Sequence, residues 1–67
     1  MIAPPDLDLA RQIMATLPQP TARKVADATG AQGDRVARTL EGLIDEGFVE
    51  VTGGGLWLTE LGREVMA

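Results

Sequence analysis

The 67-residue chain has no cysteine, no histidine, no serine and no tyrosine, and Lys24 is its single lysine. Without cysteine there are no disulfides, and thiols say nothing of redox compartment. Without cysteine or histidine, zinc loses its usual sulfur and nitrogen ligands, so no metal is expected. Nucleophilic catalysis would fall to threonine, a carboxylate or Lys24, with no imidazole to act as base. No two carboxylates stand at a spacing that suggests a paired acid/base site. The sequence therefore points away from an enzyme and calls for no cofactor. No apolar run approaches the ~18 residues needed to cross a bilayer, and residues 1–11 lack the basic and apolar regions of a signal peptide. A soluble, cytoplasmic protein is expected.

What is present suits one small domain. Apolar residues make up 45% and charged residues 24%, which argues for a packed core and against disorder. A chain of this size buries only about 60% of its unfolded surface, so the core must be small. Net charge is −4, an acidic balance unlike the basic footprint of most nucleic-acid binders. The distribution is uneven. Arg23, Lys24, Arg35 and Arg38 fall within residues 21–39 beside only Asp27 and Asp34, a local +2 on an otherwise acidic chain. Such a patch is a candidate phosphate-facing surface.

The centre of the chain is residues 21–47, which read as two helices joined by a tight turn. Gly30 stops the first, over about 22–29, and Gly47 stops the second, over about 32–46, each able to take the left-handed conformation that closes a helix. Upstream, residues 6–17 form a first helix capped by Asp6. Its apolar stripe of Leu7, Ala10, Ile13, Met14 and Leu17, widened by Leu9, marks either a central core helix or a partner-binding one. Pro18 and Pro20 end it and leave Pro18-Gln19-Pro20 as a link that could lay one short edge strand. Thr21 caps the second helix, whose inward face is Ala22, Val25, Ala26 and Thr29. Arg23 and Lys24 in its first turn oppose the helix dipole, either as an accidental solvated pair or because they meet phosphates. In the third helix Val36, Leu40, Leu43 and Ile44 face the core, with Asp34, Arg35, Arg38, Gly42 and Asp45 opposite.

Beyond Gly47 the period becomes alternating. Residues 48–58 read as a β-hairpin with Gly53-Gly54-Gly55 as its turn and Val49, Val51, Leu56 and Leu58 inward. Trp57 then points outward, where it is either an interface anchor or a lid over Phe48 or the triglycine. Thr59 caps a last short helix in residues 59–67, with Leu61 and Val65 on one face. The fold class expected is mainly α (α+β): a three-helix core, a short hairpin and a C-terminal helix.

This order, and the segments VADATGAQGDRVARTLEGLIDEGFVEV and LTELGREV, resemble the winged helix-turn-helix of MarR-type and ArsR-type bacterial transcriptional regulators. The resemblance runs from about Leu7 to Met66. It rests on the step Gly47-Phe48-Val49-Glu50 after the second helix of the pair and on Leu58-Thr59-Glu60-Leu61-Gly62 after the wing. It implies duplex DNA binding, with the third helix in the major groove. On that reading Gln32, Asp34, Arg35 and Arg38 face bases, and Thr21, Arg23 and Lys24 face phosphates. Arginine can fork onto guanine and glutamine onto adenine. The competing expectation is a winged helix that docks a protein, favoured by the net charge and by a wing tip, residues 52–55, without Arg or Lys. Trp57 would be its anchor. A homodimer through Leu9, Ile13 and Val65 is a further possibility.

Overall fold

In the computed structural model, which describes residues 7–67, four helices and one two-stranded antiparallel hairpin follow in the order α1 (Leu7–Thr16), α2 (Ala22–Thr29), α3 (Gly33–Asp45), β1 (Val49–Thr52), β2 (Gly55–Leu58) and α4 (Glu60–Met66). This is a mainly helical α+β arrangement, and the expected order of elements is the one found. The expected Asp6 cap lies outside the described residues.

Helices α1, α2 and α3 pack on one another, and α4 closes against α1 and the hairpin. Because α1 touches three helices, its stripe is covered on several sides. Leu9, Ala10, Ile13 and Met14 are buried there with Val25, Val36, Leu40, Leu43, Val49 and Leu56. No polar or charged side chain is buried among the described residues. Cohesion therefore rests on apolar burial and backbone hydrogen bonds.

The helix ends follow their sequence signals. Thr21 is extended, and its hydroxyl accepts from the Lys24 amide at 3.1 Å. Gly30 closes α2 in the left-handed region at φ 74°, its amide bonded to the Ala26 carbonyl. Gln32 precedes α3 as a cap without a side-chain hydrogen bond, so that end is held by the fold around it.

The link after α1 pairs with the hairpin at one point. The Gln19 amide donates to the Leu56 carbonyl at 3.1 Å, and the Leu56 amide donates back at 2.8 Å. This covers the free edge of β2 where an edge strand was expected. In the hairpin Thr52 pairs with Gly55, leaving a two-residue turn of Gly53 and Gly54, both at positive φ. That double positive φ is the turn whose twist matches the flanking strands, and Gly55 is drawn from the turn into β2.

A compact joint ties α4 to the end of α3. The Thr59 hydroxyl donates to the Gly47 carbonyl at 2.6 Å and accepts from the Gly62 amide at 3.0 Å, while the Thr59 amide donates to the Phe48 carbonyl. Gly62 stands so close to the Phe48 carbonyl oxygen that a β-carbon there would overlap it. Gly62 and Met66 therefore turn toward the hairpin and core, and Leu61 and Val65 face outward.

The inward faces need four corrections. Ala22 is exposed because the buried line of α2 runs through Val25, with Ala26 and Thr29 half-buried. Leu7 is exposed in the first turn of α1, and Ile44 is partly exposed on the shoulder of the Leu40/Leu43 line. Val51 is 62% exposed although its cross-strand partner Leu56 is buried, because the Gln19 link pairs along β2 and Val51 lies on the other strand.

Candidate functional site

The seven residues assigned to nucleic acid all lie on the surface of α2, α3 and the turn between them. Thr21, Arg23 and Lys24 form the start of α2, and the Thr21 side chain is committed to capping. Gln32, Asp34, Arg35 and Arg38 occupy the start and first half of α3. At 100° per residue, Asp34, Arg38 and Asp45 point away from the buried Val36, Leu40 and Leu43, with Arg35 and Gly42 beside them. The turn is only Gly30-Ala31-Gln32, and α2 packs on α3, so the two cationic helix starts belong to one rigid unit.

The electrostatics of this unit are mixed along its length. Arg35 and Arg38 stand with Asp34 in the amino-terminal half of α3, and Glu41 and Asp45, with Glu46 at the cap, occupy its carboxyl end. Carboxylates at that end add to the negative pole of the helix and leave the amino-terminal half as the favourable place for an anion.

The residues assigned to a protein interface separate. Leu9 is 4% exposed and Ile13 is fully buried, so neither offers a surface to a second copy of the chain. Both are consumed by the helices around α1. Val65 stays exposed on α4 beside Leu61. Trp57 is 44% exposed, with its indole N–H donating to the Thr52 carbonyl at 3.0 Å. Its ring lies against Gly55, where an added β-carbon would be 3.2 Å from Nε1. The tryptophan thus covers part of the triglycine and keeps surface open to solvent.

Trp57 also forms one wall of an open recess of about 270 Å³. Pro18, Gln19 and Pro20 face it, and Gly53, Gly54 and Gly55 complete the rim. This concavity was not foreseen, because it depends on Gln19 pairing with Leu56 across the fold. The only sequence signal was the link's capacity to lay an edge strand.

No group of acidic side chains among the described residues is arranged to hold a metal ion. No helix of the described residues is long and apolar enough to cross a membrane. The class these features define is a small, mainly helical α+β domain. Comparison with protein-family models, curated proteins and solved structures finds no match to the chain.

Proposed function

We propose that the chain is a winged helix-turn-helix module that binds double-stranded DNA, a small transcriptional regulator of the cytoplasm that sets α3 in the major groove. The observation that carries the reading is the concentration of Arg23, Lys24, Arg35 and Arg38 on the exposed starts of α2 and α3. The two helices are joined by a three-residue turn and pack directly on each other. In this arrangement α2 rests on the phosphate backbone, with the Thr21-capped helix start and its two cations against it. Gln32, Asp34, Arg35 and Arg38 reach base edges from α3, where Asp34 accepts from a cytosine amino group. The hairpin is the wing.

The test is titration with short duplexes. Arg38→Ala should weaken binding and relax the preference at one base pair, at about 1–3 kcal/mol. Lys24→Ala should weaken all sequences alike and flatten the salt dependence. Unchanged duplex binding in both variants at low salt would remove the groove assignment.

A protein-docking winged helix is the second reading. It is favoured by the exposed apolar side chains of Val51, Trp57, Leu61 and Val65 and by the uncharged wing tip. It predicts that Trp57→Ala loses a bound protein while the domain stays folded.

A further inference from the structure

We infer that the outer edge of β1 takes up an extended, basic segment of a partner protein as an added strand. The inference stands apart from the DNA reading, because it uses a different surface and a different ligand. Gln19 exchanges both backbone hydrogen bonds with Leu56, on the side of β2 away from β1. Leu56 is the cross-strand partner of Val51. In an antiparallel ladder the two residues of a pair either bond to each other or both turn their backbone groups outward. The Val51 amide and carbonyl therefore face out from the opposite edge. Among the described residues no group bonds to them. The hairpin is closed by an added segment on one edge and left open on the other.

Apart from Glu50, β1 carries none of the devices that keep such an edge from pairing. Residues 49–52 contain no proline and no lysine, and the register with β2 runs without a bulge. Val51 is 62% exposed, so the edge is open at its side chain as well as at its backbone. An incoming strand gains main-chain hydrogen bonds there whatever its sequence, and its side chains then set the preference.

The alternation of β1 and the charge around it define the partner. Val51 shares a face with Leu56, and Glu50 shares the other with Trp57. The residue set beside Val51 is therefore apolar, and its neighbour beside Glu50 is Lys or Arg, since opposite charges across a ladder attract and like charges repel. The Thr59 hydroxyl donates to the Gly47 carbonyl at 2.6 Å, which brings the adjoining Glu46 and Glu60 to the end of the hairpin where β1 begins. From residue 41 onward Glu41, Asp45, Glu46, Glu50, Glu60 and Glu64, all exposed, stand against Arg63 alone. Such a field draws a cationic segment. It also disfavours a second copy of the chain, because self-pairing along β1 would bring two such acidic surfaces together.

The experiment titrates the isotope-labelled full chain with a short synthetic peptide alternating Val and Lys, and with its Val/Glu counterpart, and follows amide hydrogen exchange. The Val/Lys peptide should bind and slow exchange at the Val51 amide on the order of ten-fold, and the Val/Glu peptide should do neither. Val51→Pro removes the outward donor at an edge position that tolerates proline, and should weaken the Val/Lys peptide on the order of ten-fold. Glu50→Lys should narrow the preference between the two peptides. Val/Lys binding that leaves Val51 exchange unchanged, or that Val51→Pro leaves unaltered, would overturn the inference and reduce the effect to charge alone. A Val51 amide already protected in the free chain would overturn it as well, and dependence of that protection on protein concentration would assign the edge to a second copy. Wild-type exchange needs no variant to fold, and every outcome is read without DNA, so the DNA reading is tested separately.

Discussion

Gly62 and Gly42 both lie within helices, yet the same substitution should have opposite signs at the two. At Gly62 a methyl group would overlap the Phe48 carbonyl oxygen, and backbone cannot swing aside as a side-chain end can. Gly62→Ala should destabilise the domain by about 2 kcal/mol, within the range for overpacking, and lower the midpoint of thermal unfolding by roughly ten degrees. At Gly42 an added β-carbon meets open space. Gly42→Ala should raise stability by about 0.5–1 kcal/mol, through helix propensity and a less flexible unfolded chain. Thr59 offers a third residue-scale test. Its hydroxyl joins the closing turn of α3 to the first turn of α4, so Thr59→Ala should cost about 1–2 kcal/mol, more than loss of the exposed Thr21 hydroxyl. Denaturant melts of the three variants measure each value.

At the scale of elements, the helices and their ends were legible because each carries a local chemical signal. Thr21 and Thr59 cap as their positions predict, and Gly30 and Gly47 take positive φ where the helices stop. The stripes were legible only in part. Periodicity says which residues share a face, but coverage depends on how far the neighbouring element extends. Val51 and Ile44 share faces with buried residues and stand at the margins of a core too small to cover them. On α4 Leu61 and Val65 share a face as their spacing predicts, and that face is the outward one; Gly62 takes the inward side, because a close backbone approach leaves no apolar mark in sequence. The candidate site divides in the same way. Exposure of the residues assigned to DNA follows from simple helical spacing, whereas the recess beside Trp57 arises from the long-range Gln19–Leu56 pairing. Exchange of that single bridge is testable. Gln19→Pro removes one of its two hydrogen bonds, from the Gln19 amide to the Leu56 carbonyl, and by loosening the reciprocal bond should speed hydrogen exchange at the Leu56 amide while leaving the α2 and α3 amides protected.

For the whole molecule, the central quantity is how an acidic chain of net charge −4 meets a polyanion. On the proposed DNA reading, long-range repulsion would oppose approach, and the cations at the starts of α2 and α3 would act at close range. Binding should therefore be weak at physiological salt and depend on few ionic contacts. Three or four displaced counterions give a slope of log affinity against log salt of about −3. Replacing Glu41 and Asp45 by glutamine and asparagine should raise affinity for all duplexes without changing which base pairs are preferred, since those carboxylates lie at the far end of α3. An affinity unaffected by that double change would remove the electrostatic part of the account.

The most direct test of the central claim is a titration of the wild-type chain with random-sequence duplex at 50 and 200 mM salt. The account predicts measurable binding at the lower concentration and a loss on the order of 50-fold at the higher. No binding at either concentration, or binding indifferent to salt, would contradict it and turn the reading toward a protein partner.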